Sequence, residues 1–323
     1  MAIRDILSGL AQYPDGAAFD LKRGLAAHLG ISVDQLTIGN GSNEVLSIIA
    51  ETFLSPGDEA VYSQFAFVVY GLAVQAAGAG ARVAPANPPG NSQPLGHGLD
   101  ELKALIGNRT RLVFVANPNN PTGTWLPPTQ LLAFIADLPE HVVVVIDEAY
   151  LEYMPADVRP DTLKWLEAFP NLVVCRTFSK MYGLAGLRVG YAVSHPGVAE
   201  LLNRVRQPFN VNGLGQAAAL AALGARDHVV RSAETNAQGL AQLRAGLTEF
   251  GWTVGPSAGN FVLADTSVPA GPWYEGLLQC GVIVRPVASY GLPRHLRITV
   301  GLPAQNERLL QALKQLRERG IGR

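Results

Sequence analysis

The sequence predicts an α/β layered protein: a large domain with a mainly parallel sheet between helices, and a smaller α+β domain. Three observations predict it. Helical and strand-like segments alternate from about residue 37 to residue 223, as in a sheet covered by helices. Several of the strand-like segments are short, β-branched and continuously apolar, which suits central strands of a parallel sheet buried on both faces. Beyond residue 223 the pattern becomes one long polar-apolar helix, then shorter strands and a closing helix. That marks a second, smaller unit.

The elements follow in order. Residues 43–53 space their apolar side chains at helical intervals after a glycine turn. Residues 60–81 carry no charge and are long enough to span a bilayer. Ser63, Gln64, Gln75 and several glycines interrupt that stretch, and Tyr62, Phe65, Phe67 and Tyr70 suggest a loop leading into packed structure. It reads as a buried helix of a soluble protein. The proline-rich piece 85–94 reads as a surface loop. Segments 111–116, 142–146, 172–175 and 190–193 read as strands of the large sheet. A helix over 229–250, strands near 261–264, 282–285 and 296–300, and a helix at 305–319 complete the chain. The division is then 30–225 for the large domain, with 1–29 and 226–323 forming the small one.

Composition narrows the function. With 48% hydrophobic and 16% charged residues in 323, the chain is long and apolar enough for a sizeable core. Its formal net charge is -1, and no basic stripe interleaved with aromatics argues for nucleic acid. Met1-Ala2-Ile3-Arg4-Asp5 meets charge at once, without the apolar centre of a signal peptide. Two cysteines, Cys175 and Cys280, are too few for a disulfide framework and fit a reducing cytosol. The six histidines show no metal-ligand spacing, so no metal is expected. Gly-x-Gly-x-x-Gly and a phosphate-loop lysine are missing, which disfavours nucleotide readings.

Five features carry chemistry. Gly39-Asn40-Gly41-Ser42-Asn43 opens a helix, where free N–H groups converge on an anion unless Ser42 or Asn43 simply caps the helix. Asn117-Pro118-Asn119-Asn120-Pro121-Thr122-Gly123 makes a rigid turn at a strand's carboxyl end, the ligand side of an open α/β sheet. Asp147 follows five β-branched residues, so its carboxylate is partly desolvated and needs donors or a cation; otherwise it is a capping Asp with Glu148 facing solvent. Tyr150 reaches the same place if the chain turns helical. Lys180, after Ser179 and eight residues before Arg188, either opens a helix at the surface or serves Schiff-base chemistry. Arg285 ends one apolar strand and Arg297 lies inside another, where an arginine either captures a carboxylate or phosphate or snorkels to water.

In combination these features resemble the fold-type I, pyridoxal-phosphate-dependent aminotransferases of class II. Residues 111–123 (RLVFVANPNNPTG), 147–150 (DEAY), 176–190 (RTFSKMYGLAGLRVG), 206–212 (RQPFNVN) and 296–301 (LRITVG) resemble the histidinol-phosphate aminotransferase family in particular. The resemblance runs from about Tyr13 to the C-terminus. It implies a seven-stranded, mainly parallel sheet and pyridoxal phosphate as cofactor. Lys180 would be the Schiff-base lysine, Asp147 the partner of the pyridine nitrogen, and Tyr150 and Asn120 the partners of the phenolic oxygen. Phe67 would stack on the ring; Ser42, Asn43, Ser179 and Arg188 would hold the phosphate. Tyr13, in Tyr-Pro-Asp, would reach the cofactor phosphate of a neighbouring subunit, which implies a homodimer in the cytoplasm.

The implied reaction interconverts L-histidinol phosphate plus 2-oxoglutarate with imidazole acetol phosphate plus L-glutamate, in histidine biosynthesis. Arg297 and Arg285 would bind the substrate's phosphate as well as glutamate's carboxylates. An aromatic or broad-specificity aminotransferase, a threonine-phosphate decarboxylase and a catalytically silent cofactor-binding protein are the alternatives. Family members usually carry a further N-terminal segment, with an Asn-Glu-Asn-Pro-like stretch, that covers the active site and contacts the substrate's phosphate end. In this sequence Met1 stands almost on the helix that leads to Tyr13.

Overall fold

The computed structural model describes residues 2–322. Seven strands build the larger sheet: β1 (Leu36–Gly39), β2 (Glu59–Ser63), β3 (Gly80–Ala84), β4 (Thr110–Ala116), β5 (Val143–Asp147), β6 (Leu172–Thr177) and β7 (Gly190–Ser194). Their spatial order is β1-β7-β6-β5-β4-β2-β3. Strands β3, β2, β4, β5 and β6 run parallel, while β7 is antiparallel to both β6 and β1. The helices are α1 (Ala2–Asp5), α2 (Phe19–Leu29), α3 (Ser42–Phe53), α4 (Val68–Ala76), α5 (Leu99–Ala104), α6 (Pro128–Ala136), α7 (Pro196–Val205), α8 (Gly213–Ala222), α9 (Arg226–Glu249), α10 (Gly271–Gln279) and α11 (Pro303–Glu318).

The continuous apolar runs are explained by helices on both faces of the sheet. Along β4, Val113 and Val115 join one core with Leu131 and Phe134 of α6. Leu112 and Phe114 join the other, with Leu46 of α3 and Tyr70 of α4. The same alternation along β5 sends Val144 and Ile146 to the first core and Val143 and Val145 to the second. Asp147 therefore falls on the α3–α4 side and Glu148 on the other.

The C-terminal residues form an antiparallel sheet of β8 (Thr253–Val254), β9 (Phe261–Asp265), β10 (Arg285–Pro286) and β11 (His295–Thr299), in the order β10-β11-β9-β8. It has its own core, in which Leu243 of α9, Trp273 of α10 and Leu313 of α11 meet Leu296.

Four expectations are corrected. Residues 60–81 are not one buried helix but parts of β2 and β3 with α4 between them. Gly78, at φ +72, ends the helical turn, and Ala60 and Val61 are buried as central-strand residues. The strand at 190–193 is antiparallel, because the chain returns from β6 through a turn with only one short 3-10 segment, too little for a parallel crossover. The strand expected at 282–285 shrinks to Arg285–Pro286, since Gly281 turns the chain at φ +71 and Pro286 has no N–H to extend a ladder. Residues 19–29 pack with the large sheet rather than the small domain: Leu21 and Leu25, one helical turn apart, share a core with Leu36 and Ile38.

Candidate active site

The carboxyl ends of β4, β5 and β6 open into a cavity of about 300 Å³. Ser42, Asn43, Phe67, Asn120, Asp147, Tyr150, Ser179, Lys180, Arg188, Arg285 and Arg297 all line it. Residues up to 255 positions apart in sequence thus converge on one space, as expected at the strand ends of an α/β sheet. Tyr13 does not join them: it is 84% exposed and packs against Phe209, ring centroids 4.9 Å apart.

One end of the cavity is an anion cradle. Helix α3 begins after Gly41 with no side chain capping its N-terminus, which leaves the first N–H groups and the helix dipole aimed outward. The cradle has no room for side chains behind it. A Cβ at Gly190 would collide with the Ser42 amide, and one at Gly41 with the Arg188 guanidinium. Arg188 is held in the left-handed region, φ 56, and donates through Nη1 to the Ala185 carbonyl at 3.0 Å and to Ser179 Oγ at 3.4 Å. The glycine turn is braced from below: Glu44 Oε2 accepts from the Asn40 amide at 2.6 Å and from Asn210 Nδ2 at 2.5 Å. Arg206 Nη1 in turn donates to Asn210 Oδ1 at 2.8 Å. These residues fit a phosphate.

The middle of the cavity holds the acid and the amine. Asp147 Oδ2 accepts from the Tyr70 hydroxyl at 2.9 Å, and its Oδ1 from the Ala149 amide at 3.1 Å. Burial pushes the Asp147 carboxyl up, opposed by those two hydrogen bonds and by the charge on Lys180. A cation brought against it would tip the balance toward the carboxylate. Burial holds the Lys180 amine below its usual range, and the nearby Arg297 guanidinium depresses it further, against the pull of Asp147. Its Nζ lies 5.2 Å from the centre of the Tyr150 ring. Burial raises the Tyr150 hydroxyl to about 12, against the lowering effect of Arg297. Phe67 opens α4 and meets Tyr70 edge-on, ring centroids 5.9 Å apart, with Tyr70 stacked on Phe114.

The far end is cationic. Arg285 and Arg297 face each other directly across the β10–β11 ladder. Arg297 donates through Nη1 to Asn120 Oδ1 at 2.5 Å and lies over the Phe261 ring, while its buried Nε has no partner. Neither arginine forms an ion pair among the described residues. Two guanidiniums without a carboxylate, one with a buried N–H to spare, are built for an anionic guest.

Sequence reasoning missed three contributors. Tyr70 stands one helical turn after Phe67, a spacing that becomes meaningful only once α4 is recognised inside the uncharged stretch. Tyr290 lines the cavity from a short 3-10 turn that carries no motif. Glu148 does not face solvent: it is 0% exposed and pairs with Arg176, Oε2 to Nε at 2.8 Å. Its partner lies 28 residues away, beyond local inspection.

Comparison with known proteins bears on this site. The family "Aminotransferase class I and II" matches residues 3–313. Histidinol-phosphate aminotransferase 2 of Pseudomonas fluorescens is 52% identical over 319 residues, covering 99% of this chain and 85% of its own length. The protein of the same name from Methylococcus capsulatus is 51% identical over 314 residues, covering 97% and 85%. The crystal structure of histidinol-phosphate aminotransferase from Sinorhizobium meliloti, in complex with pyridoxal-5'-phosphate, superposes with a TM-score of 0.91 at 33% identity. It covers 98% of this chain and 86% of the other.

Proposed function

This chain belongs to the class I and II aminotransferases, and we propose that it exchanges an amino group between L-histidinol phosphate and 2-oxoglutarate, forming imidazole acetol phosphate and L-glutamate. The observation that carries the reading is the convergence of Lys180, Asp147, the α3 cradle and the Arg285–Arg297 pair on one cavity. The relatives named histidinol-phosphate aminotransferase, about half identical over nearly the whole chain, support the substrate. Pyridoxal phosphate is the cofactor.

When bound, that cofactor supplies an electron sink that lets a carbon–hydrogen bond beside the substrate nitrogen break heterolytically. The chain's own residues do the rest. The α3 amides, Ser179 and Arg188 would hold its phosphate, and Phe67 would cover one face of its ring. Asp147, kept ready by Tyr70 and the Ala149 amide, would hold a proton on the ring nitrogen. Asn120 and Tyr150 would hold its phenolic oxygen. Lys180 is the nucleophilic amine. Because its pKa is depressed, more of it is neutral at a given pH, so it can take a proton from the substrate carbon and return it. Arg285 and Arg297 would orient the substrate's anionic end, phosphate in one half-reaction and carboxylate in the other.

The exposed Tyr13, together with exposed Leu7, Leu10 and Phe19 near it in sequence, supports a homodimer in which this face is covered and Tyr13 completes the neighbour's phosphate site. No helix among the described residues is long and apolar enough to cross a membrane, and the two cysteines are free, which supports a place in the cytoplasm. Adding histidinol phosphate to the cofactor-loaded protein should bleach its visible band, whereas phenylalanine and threonine phosphate should not. Bleaching by phenylalanine or threonine phosphate instead contradicts the substrate assignment.

A further inference from the structure

Glu148 and Arg176 lie behind the cavity, on the opposite face of the sheet from Asp147. Glu148 is fully buried and satisfied on both oxygens: Oε2 accepts from Arg176 Nε at 2.8 Å and Oε1 from Thr162 Oγ1 at 2.7 Å. The Arg176 side chain is 11% exposed. A carboxylate and a guanidinium withdrawn from water are costly to desolvate, and apolar residues of similar volume often stabilise a fold as well or better. Stability alone therefore does not account for an ion pair at this place.

Its position in the chain does. Glu148 immediately follows Asp147 at the end of β5, and its own amide donates to the Cys175 carbonyl at 2.8 Å. Cys175 is the register partner of Asp147 on β6, and Arg176 follows it, four residues before Lys180. The two strands separate just beyond, one toward Tyr150 and the other toward Ser179 and Lys180. A side-chain bond at that fork fixes the distance between the segment that presents the acid and the segment that presents the amine. Strand alternation keeps both side chains out of the cavity, so they touch neither cofactor nor substrate. The groups near the pair include Thr162 with Asp161 just before it, Glu152, Tyr182, Tyr191 of β7 and His28 of α2.

We infer that the Glu148–Arg176 ion pair is a positioning device that sets the spacing of Asp147 and Lys180 from behind the sheet. The inference rests on the roles proposed above for those two residues. It predicts that loosening the pair misplaces the amine relative to the ring, for which a loss of about 10²-fold in kcat is the appropriate scale. The KM values, set at the Arg285–Arg297 end, should stay as they are.

The test uses the full-length, cofactor-loaded protein as Glu148→Gln and as the double variant Glu148→Met/Arg176→Met. The double variant removes both charges together and so keeps a foldable core even if the single one does not. Four readouts are taken: thermal midpoint with and without pyridoxal phosphate, cofactor affinity, the pH midpoint of the visible absorbance, and the split of kcat from KM. The expected result is a double variant with native-like melting of the cofactor-free protein, a displaced absorbance midpoint, and kcat lowered about 10²-fold at unchanged KM. A double variant with native kcat and native absorbance midpoint overturns the inference, because packing alone then suffices. Lys180→Ala is measured in parallel. If that variant keeps its visible band and activity, the assignment of Lys180 fails instead, whatever the pair does.

Discussion

On the wall of the cavity formed by β4, β5 and β6, Asp147 is bonded by Tyr70 and a backbone amide, and a buried ion pair stands behind it. On the opposite wall, β10 is two residues long, and Arg297 makes one side-chain hydrogen bond, to Asn120. Arg285 beside it is exposed. The first wall is preorganised at several levels; the second is a pair of charges on facing strands, one of them only two residues long. The difference separates two tasks. Cofactor chemistry needs groups fixed before any ligand arrives. Capture of two different anions in alternate half-reactions, the role proposed for Arg285 and Arg297, would be served by an exposed guanidinium beside a held one.

Acidification should strain the fixed wall. His97 is fully buried behind the end of β4, with Nε2 2.9 Å from the Ala116 carbonyl oxygen. Burial lowers its pKa from 6.5 to about 4, against the raising effect of that hydrogen bond. The unfolded chain takes up a proton near 6.5 that the folded chain resists until about 4. Stability is therefore lost as pH falls through that window, by about 3 kcal/mol at its acidic end. Melting curves between pH 7 and pH 4.5 should show this slope, and His97→Gln should flatten it. An unchanged slope in the variant would place the acid-sensitive group elsewhere.

Next in size comes the adjustable wall. In the role proposed for Arg297, Arg297→Met would remove charge-assisted hydrogen bonds to the substrate, worth about 1.5–3 kcal/mol, or roughly 10- to 100-fold in kcat/KM. The loss should appear mainly in KM, with cofactor affinity retained. A loss confined to kcat would mean that Arg297 acts on the reacting atoms and that the two walls are not separate.

Smaller still is Tyr70→Phe. It deletes one hydrogen bond that favours the Asp147 carboxylate, about 1 kcal/mol, or roughly fivefold in kcat. Because that bond lowers the Asp147 pKa, the acidic limb of the pH–rate profile should move to higher pH. A shift to lower pH contradicts the assigned role.

The fixed wall was also the more legible one in the sequence. Its residues stand at or just beyond the ends of β4, β5 and β6, which stop at Ala116, Asp147 and Thr177, and motifs mark the stops. Arg285 and Arg297 were recognisable only as arginines inside apolar surroundings, and the strand drawn around Arg285 was too long. What stayed hidden depends on pairing at a distance. Tyr70 lay within a stretch whose lack of charge looked like one helix, because the parts of β2 and β3 inside it, 60–63 and 80–81, carry no charge either. A solvent-facing Glu148 stayed open as an alternative because Arg176 approaches it from another strand. The N-terminal helix was misassigned for the same reason, since Leu21 and Leu25 find their partners across the fold in Leu36 and Ile38.

In the proposed mechanism Lys180 carries the cofactor within the fixed wall. Borohydride reduction of the loaded protein, followed by peptide mass mapping, tests it most directly, since reduction fixes the cofactor on whichever lysine holds it. The sequence offers five: Lys22, Lys103, Lys164, Lys180 and Lys314. The added mass is expected on the peptide containing Lys180 alone. Its appearance on any of the other four, or on none, would contradict that mechanism.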